Sequence, residues 1–300
     1  MLIRLAITAA ILALLARGIN FAESARAIAQ IDLRYLALVL GLVAVDRSVM
    51  IWRWILLLRS SGIQITHRAA ARLFLVSSFV GSFLPAGVGA DAARAYGLSR
   101  ETTSGSEALA SVAVDRVLGV MSIIVMAMVG VTAWKPAQDL RLILTIVALM
   151  ALCRAFFFAS WWIRRVVPNR FHEHGIVRKL LRLGDALERY RGRRRVLVHV
   201  MIWSIVVQIL RITQAYYLGV GLGMTVPYSY FLLFMPLGLF MLLLPISISG
   251  FGVPQGVIVW LLRPMGVPNA QSFALATLII LTGLAGNLPG LLLWLREKRP

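Results

Sequence analysis

A single cysteine, Cys153, stands in this 300-residue chain, so no disulfide can close within it. It lies in an apolar run and reads as a small core residue. Four histidines are scattered along the chain. His172 and His174 flank Glu173 in a basic stretch, too sparse a set for a metal, and no metal site is expected. Acidic residues are few, 12 against 31 Lys and Arg, for a net charge of +19. Charged residues make up only 14% of the chain, where soluble domains carry about a quarter. There is no Gly-x-x-x-x-Gly-Lys-Ser/Thr loop, which disfavours nucleotide-driven transport by this chain alone. No His-Glu-x-x-His run occurs, and no Gly-x-Ser-x-Gly turn to present a nucleophile. Ser247 and Ser249 beside Gly250 read as backbone caps in a broken helix. With no acidic cluster outside the apolar segments, a polyprenyl-linked glycosyltransferase is disfavoured too. No enzymatic activity and no cofactor are expected.

What the chain has is hydrocarbon. Hydrophobic residues are 60% of it and the mean hydropathy is +0.84. That is the composition of an all-α, polytopic membrane protein, one membrane domain over residues 1–300. The runs at 2–22, 33–58, 108–134, 140–163, 196–221 and 272–295 predict six full spans. The first, with Arg4 ahead and Arg17 behind, is read as a span rather than a cleaved signal. Residues 164–195 are a basic insert with eleven Lys and Arg. Within it Ile176, Leu180, Leu183 and Leu187 recur at helical spacing and predict an amphipathic surface helix; a solvated loop is the plainer alternative.

Two apolar stretches are broken. Phe79 to Tyr96 holds Gly81, Pro85, Gly87 and Gly89. Tyr228 to Leu262 holds Pro236, Pro245, Gly250, Gly252, Pro254 and Gly256. Broken helix at membrane depth survives only inside protein or beside water, so both are predicted to be re-entrant hairpins. Two complete crossings at each, giving eight spans, is the competing arrangement. The basic segments at 59–72, 164–195 and the C-terminus face the cytoplasm by the positive-inside rule, and 135–139 and 222–227, nearly free of positive charge, face out. Nucleic acid is not needed to explain the basic residues; anionic lipid and topology suffice. The resulting order is span, span, hairpin, span, starting inside over residues 1–134, then the same order starting outside over 140–296. An inverted repeat with broken helices in equivalent places is a transporter signature.

Charged residues interrupt the spans: Asp46, Arg47 and Arg53 in the second, Asp115 and Arg116 in the third, Arg211 between Gln208 and Gln214 in the fifth. At mid-bilayer each costs several kcal/mol unless it faces protein or water. Ser111, Asp115, Gly119 and Ser122 share one helical stripe; Ser204, Gln208, Arg211 and Ala215 share another. The functional reading is a central polar cavity in which Arg94, Arg116 and Arg211 meet an anionic headgroup, since a guanidinium binds phosphate with two parallel hydrogen bonds. Asp91, Asp115 and Gln208 complete the candidate set. Structural ion pairs are the plainer reading of the same residues, and Arg53 is placed near enough to the cytoplasmic edge to snorkel.

Leu84-Pro-Ala-Gly-Val-Gly-Ala-Asp-Ala-Ala-Arg-Ala-Tyr96 resembles the Pro/Gly–Asp–x–x–Arg signature of the lysylphosphatidylglycerol synthase transmembrane family, also called flippase-like membrane proteins. Val114-Asp-Arg-Val-Leu-Gly119 is similar to its Asp-Arg-x-x-Gly element, and Pro245-Ile-Ser-Ile-Ser-Gly-Phe-Gly252 to its third. The three stand in the family's order. The resemblance implies a flippase or translocase for an anionic or headgroup-modified lipid in a bacterial inner membrane, both termini cytoplasmic. The alternative is a non-transporting partner that presents a lipid to a separate envelope-lipid transferase. The family's Arg-Glu pair after the third element is here Pro254-Gln255, which removes two cavity charges that a lysyl-lipid would use. No aminoacyl-transferase domain follows Pro300, so the chain is not expected to make the lipid itself.

Overall fold

A computed structural model describes residues 20–84, 89–101, 105–134, 144–148, 150, 151, 185, 188–190, 192–242 and 253–297. The expectations for Pro85, Gly87, Pro245, Gly250 and Gly252, for Cys153 and the His172–His174 pair, for the turn at 135–139, and for most of the first span, the fourth span and the basic insert lie outside the described residues.

Every regular element among the described residues is helical. Helix α1 (Phe21–Ala29) starts where the Asn20 side chain accepts from the Ala22 and Glu23 N–H groups, relieving donors that no helical turn precedes. Helix α2 (Leu33–Ser60) is capped by Asp32 in the same way. A six-residue connection leads to α3 (His67–Gly81), capped by Thr66 accepting from Ala69 N–H. Helices α4 (Gly89–Glu101) and α5 (Gly105–Ala133) follow. Beyond the insert come α6 (Arg194–Gly221), α7 (Tyr228–Leu242), α8 (Val253–Leu262), a 3-10 turn at Arg263–Met265, α9 (Asn269–Ala285) and α10 (Leu288–Glu297).

Among the described residues, four stretches are long and apolar enough to cross a membrane: Leu33–Ser60, Gly105–Ala133, Arg194–Gly221 and Asn269–Arg296. At 1.5 Å per residue a 28-residue helix spans about 42 Å, more than the roughly 30 Å of hydrocarbon. The exposure pattern is that of a protein in lipid. Trp260 is 70% exposed and Leu33 72%, while Arg53 is 4% exposed and Asp46 2%.

Two expectations need correction. Pro236 does not interrupt its segment; it lies inside α7. It has no N–H to give to the Leu232 carbonyl, and α5 covers that carbonyl closely. A Cβ on Gly130 would collide with it, so glycine is what permits the approach. The predicted sixth span at 272–295 lies within the apolar stretch Asn269–Arg296, but its helix is broken in two at Gly286–Asn287. Gly286 ends α9, donating to the Thr282 carbonyl, and Pro289 near the start of α10 cannot continue the ladder back to Ala285.

The axis of the fold is α2 against α6. They run antiparallel, end to end: Asp32 N–H donates to the Gly221 carbonyl at 3.1 Å, and Arg53, near the other end of α2, reaches Ser204. Helices α3 and α4 pack on each other, as do α7 and α8; α4 lies on α5 and α8 on α9; α3 lies on α10 and α7 on α5. Apolar cores fill between these elements. Phe231, Phe234, Leu218, Ile212 and Leu275 form the largest, Trp54, Phe74 and Leu98 a second, and Leu57, Val114, Tyr190 and Val200 a third.

Matching lengths run through the two parts. Helices α2 and α6 have 28 residues each, and α6 lies 161 residues after α2 at both ends (194 less 33, 221 less 60). Both end on the same device. Gly62 and Gly223 have positive φ, 91° and 77°. The next residue, Ile63 or Met224, donates five residues back, to Leu58 or Gly219. Helices α3 and α7 then begin at the same offset, His67 and Tyr228.

Candidate functional site

The midpoint of the α2–α6 pair falls near Asp46–Arg47 and Val207–Gln208. A charge there is some 20 Å from either helix end. Two cavities of about 130 Å³ each open beside this midpoint.

The first is lined by Asp91, Arg94, Asp115, Arg116, Gln208 and Arg211, the six side chains singled out in the sequence, together with Arg53, Met50 and Gly119. Its wall is a ladder of alternating charge. Arg53 Nη2 meets Asp115 Oδ1 at 2.8 Å. Arg94 Nη2 meets Asp115 Oδ2 at 3.1 Å and Asp91 Oδ1 at 2.9 Å. Arg116 Nη1 is 3.5 Å from Asp91 Oδ2. Helix geometry sets this up: Asp91 and Arg94 are one turn apart on α4, and Asp115 projects from the buried stripe of α5, where Ser111 and Ser122 are also fully buried.

The two inner arginines are held on several sides. Arg53 also donates to Ser204 Oγ at 2.9 Å, and Ser204 donates to the Val200 carbonyl. The Arg94 guanidinium lies 5.1 Å from the Trp54 ring centre and 5.4 Å from that of Phe74, whose rings sit side by side with centres 6.4 Å apart; these cation–π contacts replace part of its lost hydration. Gln208 Nε2 donates to Ser122 Oγ at 3.1 Å. The placing of Arg53 at the cytoplasmic edge is thus corrected: its side chain is 5% exposed and inside the ladder. The signal available in the sequence was its seven-residue spacing from Asp46, which puts both on the face of α2 turned to α6. Nothing local marks Trp54 and Phe74 as guanidinium contacts.

The second cavity is lined by Asp46, Arg47, Arg211, Gln214, Thr282 and Gly283 with apolar neighbours. Arg47 Nη1 donates to Asp46 Oδ2 at 2.9 Å and Arg47 Nη2 to the Gly283 carbonyl at 3.1 Å. Arg211 Nε is 3.4 Å from Asp46 Oδ1, and Arg211 Nη2 lies 3.1 Å from the Met50 sulfur. Of the hairpin glycines, Gly89 opens α4. No group of three His, Cys, Asp or Glu able to hold a metal ion occurs among the described residues.

Chemically, the first cavity has four arginines against two aspartates on its wall, an environment for an anion. The outer faces of the same helices are apolar. The sequence pattern of one family, described as lysylphosphatidylglycerol synthase TM region, matches residues 1–290. No curated protein matches the chain.

Proposed function

Because the chain belongs to the lysylphosphatidylglycerol synthase transmembrane-region family, membrane proteins linked to lipid modification or translocation, we propose that it is a lipid flippase or translocase for an anionic or headgroup-modified lipid. The headgroup enters the polar cavity while the acyl chains stay in the bilayer. The protein performs no covalent chemistry, has lipid as its partner, and sits in a bacterial inner membrane with both termini in the cytoplasm. The observation that carries this reading is the surplus of guanidinium over carboxylate in a cavity at mid-membrane depth. Such a surplus is costly in a purely structural role and useful only when an anion arrives.

Transport by alternating access asks for two halves of opposite orientation, and the packing supports them. The equal lengths, equal offset and antiparallel run of α2 and α6 are what an inverted repeat produces. Exchanging α2 with α6, α3 with α7, α4 with α8, and α5 with α9–α10 carries packed pairs of these helices onto one another: α3·α10 onto α7·α5, α4·α5 onto α8·α9, α5·α6 onto α9·α2. The halves form one membrane domain because α2·α6, α5·α7, α3·α10, α5·α6 and α2·α9 pack across between them.

Proteoliposomes holding a fluorescent phosphatidylglycerol in both leaflets, bleached from outside with dithionite, test the function. Wild-type protein is expected to give complete bleaching where protein-free vesicles lose about half the signal, and Asp91→Ala/Arg94→Ala to return to the protein-free value. Equal bleaching by wild type and this variant sinks the reading. Absent transport with stable co-purification of a transferase would favour the lipid-presenting alternative.

A further inference from the structure

The arginines of the first cavity are not equivalent. Arg53 and Arg94 are 5% and 6% exposed, and the two aspartates of the wall are spent on them. Arg116 and Arg211 are 40% and 27% exposed, and their nearest carboxylate oxygens stand 3.5 Å and 3.4 Å away. The surplus charge therefore resides on these two, and both reach open space in the cavity.

Arg211 has a further distinction: of the residues lining the two cavities, it is the one they share. On α2 and α6 the first cavity takes Met50, Arg53, Val207 and Gln208; the second takes Asp46, Arg47, Gln214 and Leu218. Along two antiparallel helices these sets are displaced in the same direction by about six residues, on the order of 10 Å. The cavities are stacked along the helix axes with Arg211 between them. The 161-residue offset relates Met50 to Arg211, Arg53 to Gln214, Asp46 to Val207 and Arg47 to Gln208. The cavities are therefore counterparts, and the place beside their common centre is filled by one arginine and one uncharged, polarisable thioether.

The counter-ion suits a cation that must let go. Asp46 is 2% exposed, and its Oδ1, which faces Arg211 Nε, has no hydrogen bond. Its Oδ2 is held at 2.9 Å by Arg47. When Arg211 turns to another anion, Asp46 keeps Arg47, so no carboxylate is abandoned in the protein interior.

Resting on the translocation reading above, we propose that Arg211 is the shared phosphate ligand of two stacked cavities. It grips a lipid phosphodiester with Arg116 in the first, stays on it through the passage and holds it in the second, while its resting counter-ion Asp46 keeps Arg47. One guanidinium common to both stations spares the phosphate a step without a partner at the place where an unpaired anion is most costly. A free phosphate offers the same oxygens, so the source of the anion is part of the test.

The test measures phosphatidylglycerol retained by the purified protein, by native mass spectrometry, alongside dithionite bleaching and uptake of labelled inorganic phosphate into the same vesicles. Losing a charge-assisted fork is expected to lower retention and transport about tenfold in Arg211→Gln, with partial recovery in Arg211→Lys, which keeps the charge and loses the fork. Asp46→Asn frees Arg211 and is expected to raise retention several-fold. A purely structural ion pair predicts loss instead, and a thermal melt of each variant separates unfolding from altered binding. Retention and transport at wild-type level in Arg211→Gln, or lowered retention in a folded Asp46→Asn, overturn the proposal. Retention that depends on Arg211 without lipid movement by wild type overturns the translocation reading and leaves the ligand standing. Arg211-dependent uptake of inorganic phosphate, with no lipid retained, makes the ion the substrate and overturns the lipid assignment.

Discussion

Asp115 carries more than any other side chain of the cavity wall. Its two oxygens neutralise Arg53 and Arg94, at 2.8 Å and 3.1 Å, and all three are buried. A buried pair is weak support for a fold when intact, but breaking it leaves charges with nowhere to go. Asp115→Asn leaves Arg53 without a carboxylate and Arg94 with Asp91 alone. The expected cost is about 3–5 kcal/mol, read as a lower unfolding midpoint in detergent. Arg116→Gln, at a half-exposed site with a 3.5 Å contact, is expected to cost under about 1 kcal/mol. Equal midpoints for the two variants would contradict the division into holding and gripping arginines. That division was not legible beforehand. Asp91, Arg94, Asp115, Arg116, Gln208 and Arg211 were identifiable because charged and amide side chains in apolar runs stand out at once. Which arginine is neutralised depends on partners from other helices, about which periodicity is silent.

Helices close on each other here through missing atoms. Gly130 of α5 lies over the Leu232 carbonyl of α7, which Pro236 leaves without a helical donor. Gly290 of α10 lies likewise over the Leu75 carbonyl of α3. These are the two contacts the exchange of halves interconverts. In hydrocarbon, close backbone approach and dispersion replace the hydrophobic drive. A branched side chain at Gly130 forces α5 and α7 apart. Gly130→Val is therefore expected to destabilise by about 1–3 kcal/mol, while Gly41→Ala, with no atom within 4 Å of the added carbon, leaves the midpoint unchanged or higher. A Gly130→Val midpoint matching that of Gly41→Ala would remove the close-packing argument. Proline misleads a reader of the sequence for the same reason. Pro236 breaks the ladder locally, yet a neighbouring helix lets α7 run on; Pro289, with Gly286 and Asn287 before it, does end one.

Across the whole molecule, the proposed inverted halves make a claim about sidedness. Gln64 and Thr225 occupy equivalent places in the connections after α2 and α6, both exposed and both 161 residues apart like the helices they follow (225 less 64). In a background lacking Cys153, Gln64→Cys is expected to react with an impermeant maleimide from the cytoplasmic side and Thr225→Cys from the outer side. Labelling of both from one side would exclude inverted halves. The second half also departs from the first where the chemistry is. Asp115 has Ile279 as its counterpart in the second cavity, and Gly119 has Gly283 (each 164 residues on). The glycine is repeated at this position and the acid is not; the second cavity takes its carboxylate from Asp46 instead.

Membrane residence, the long spans Leu33–Ser60, Gly105–Ala133 and Arg194–Gly221, and the presence of charges within them follow from the order of residues alone. Hydropathy and the 3.6-residue period are local quantities, and a lone charge in twenty apolar neighbours has few places to be. The pairing of Arg53 with Asp115, the contact of Arg94 with the Trp54 and Phe74 rings, and the place of Arg211 between two cavities were decided by how the helices pack. Each joins side chains far apart in the chain, and the stability of a buried charge depends on the neighbour that packing brings to it.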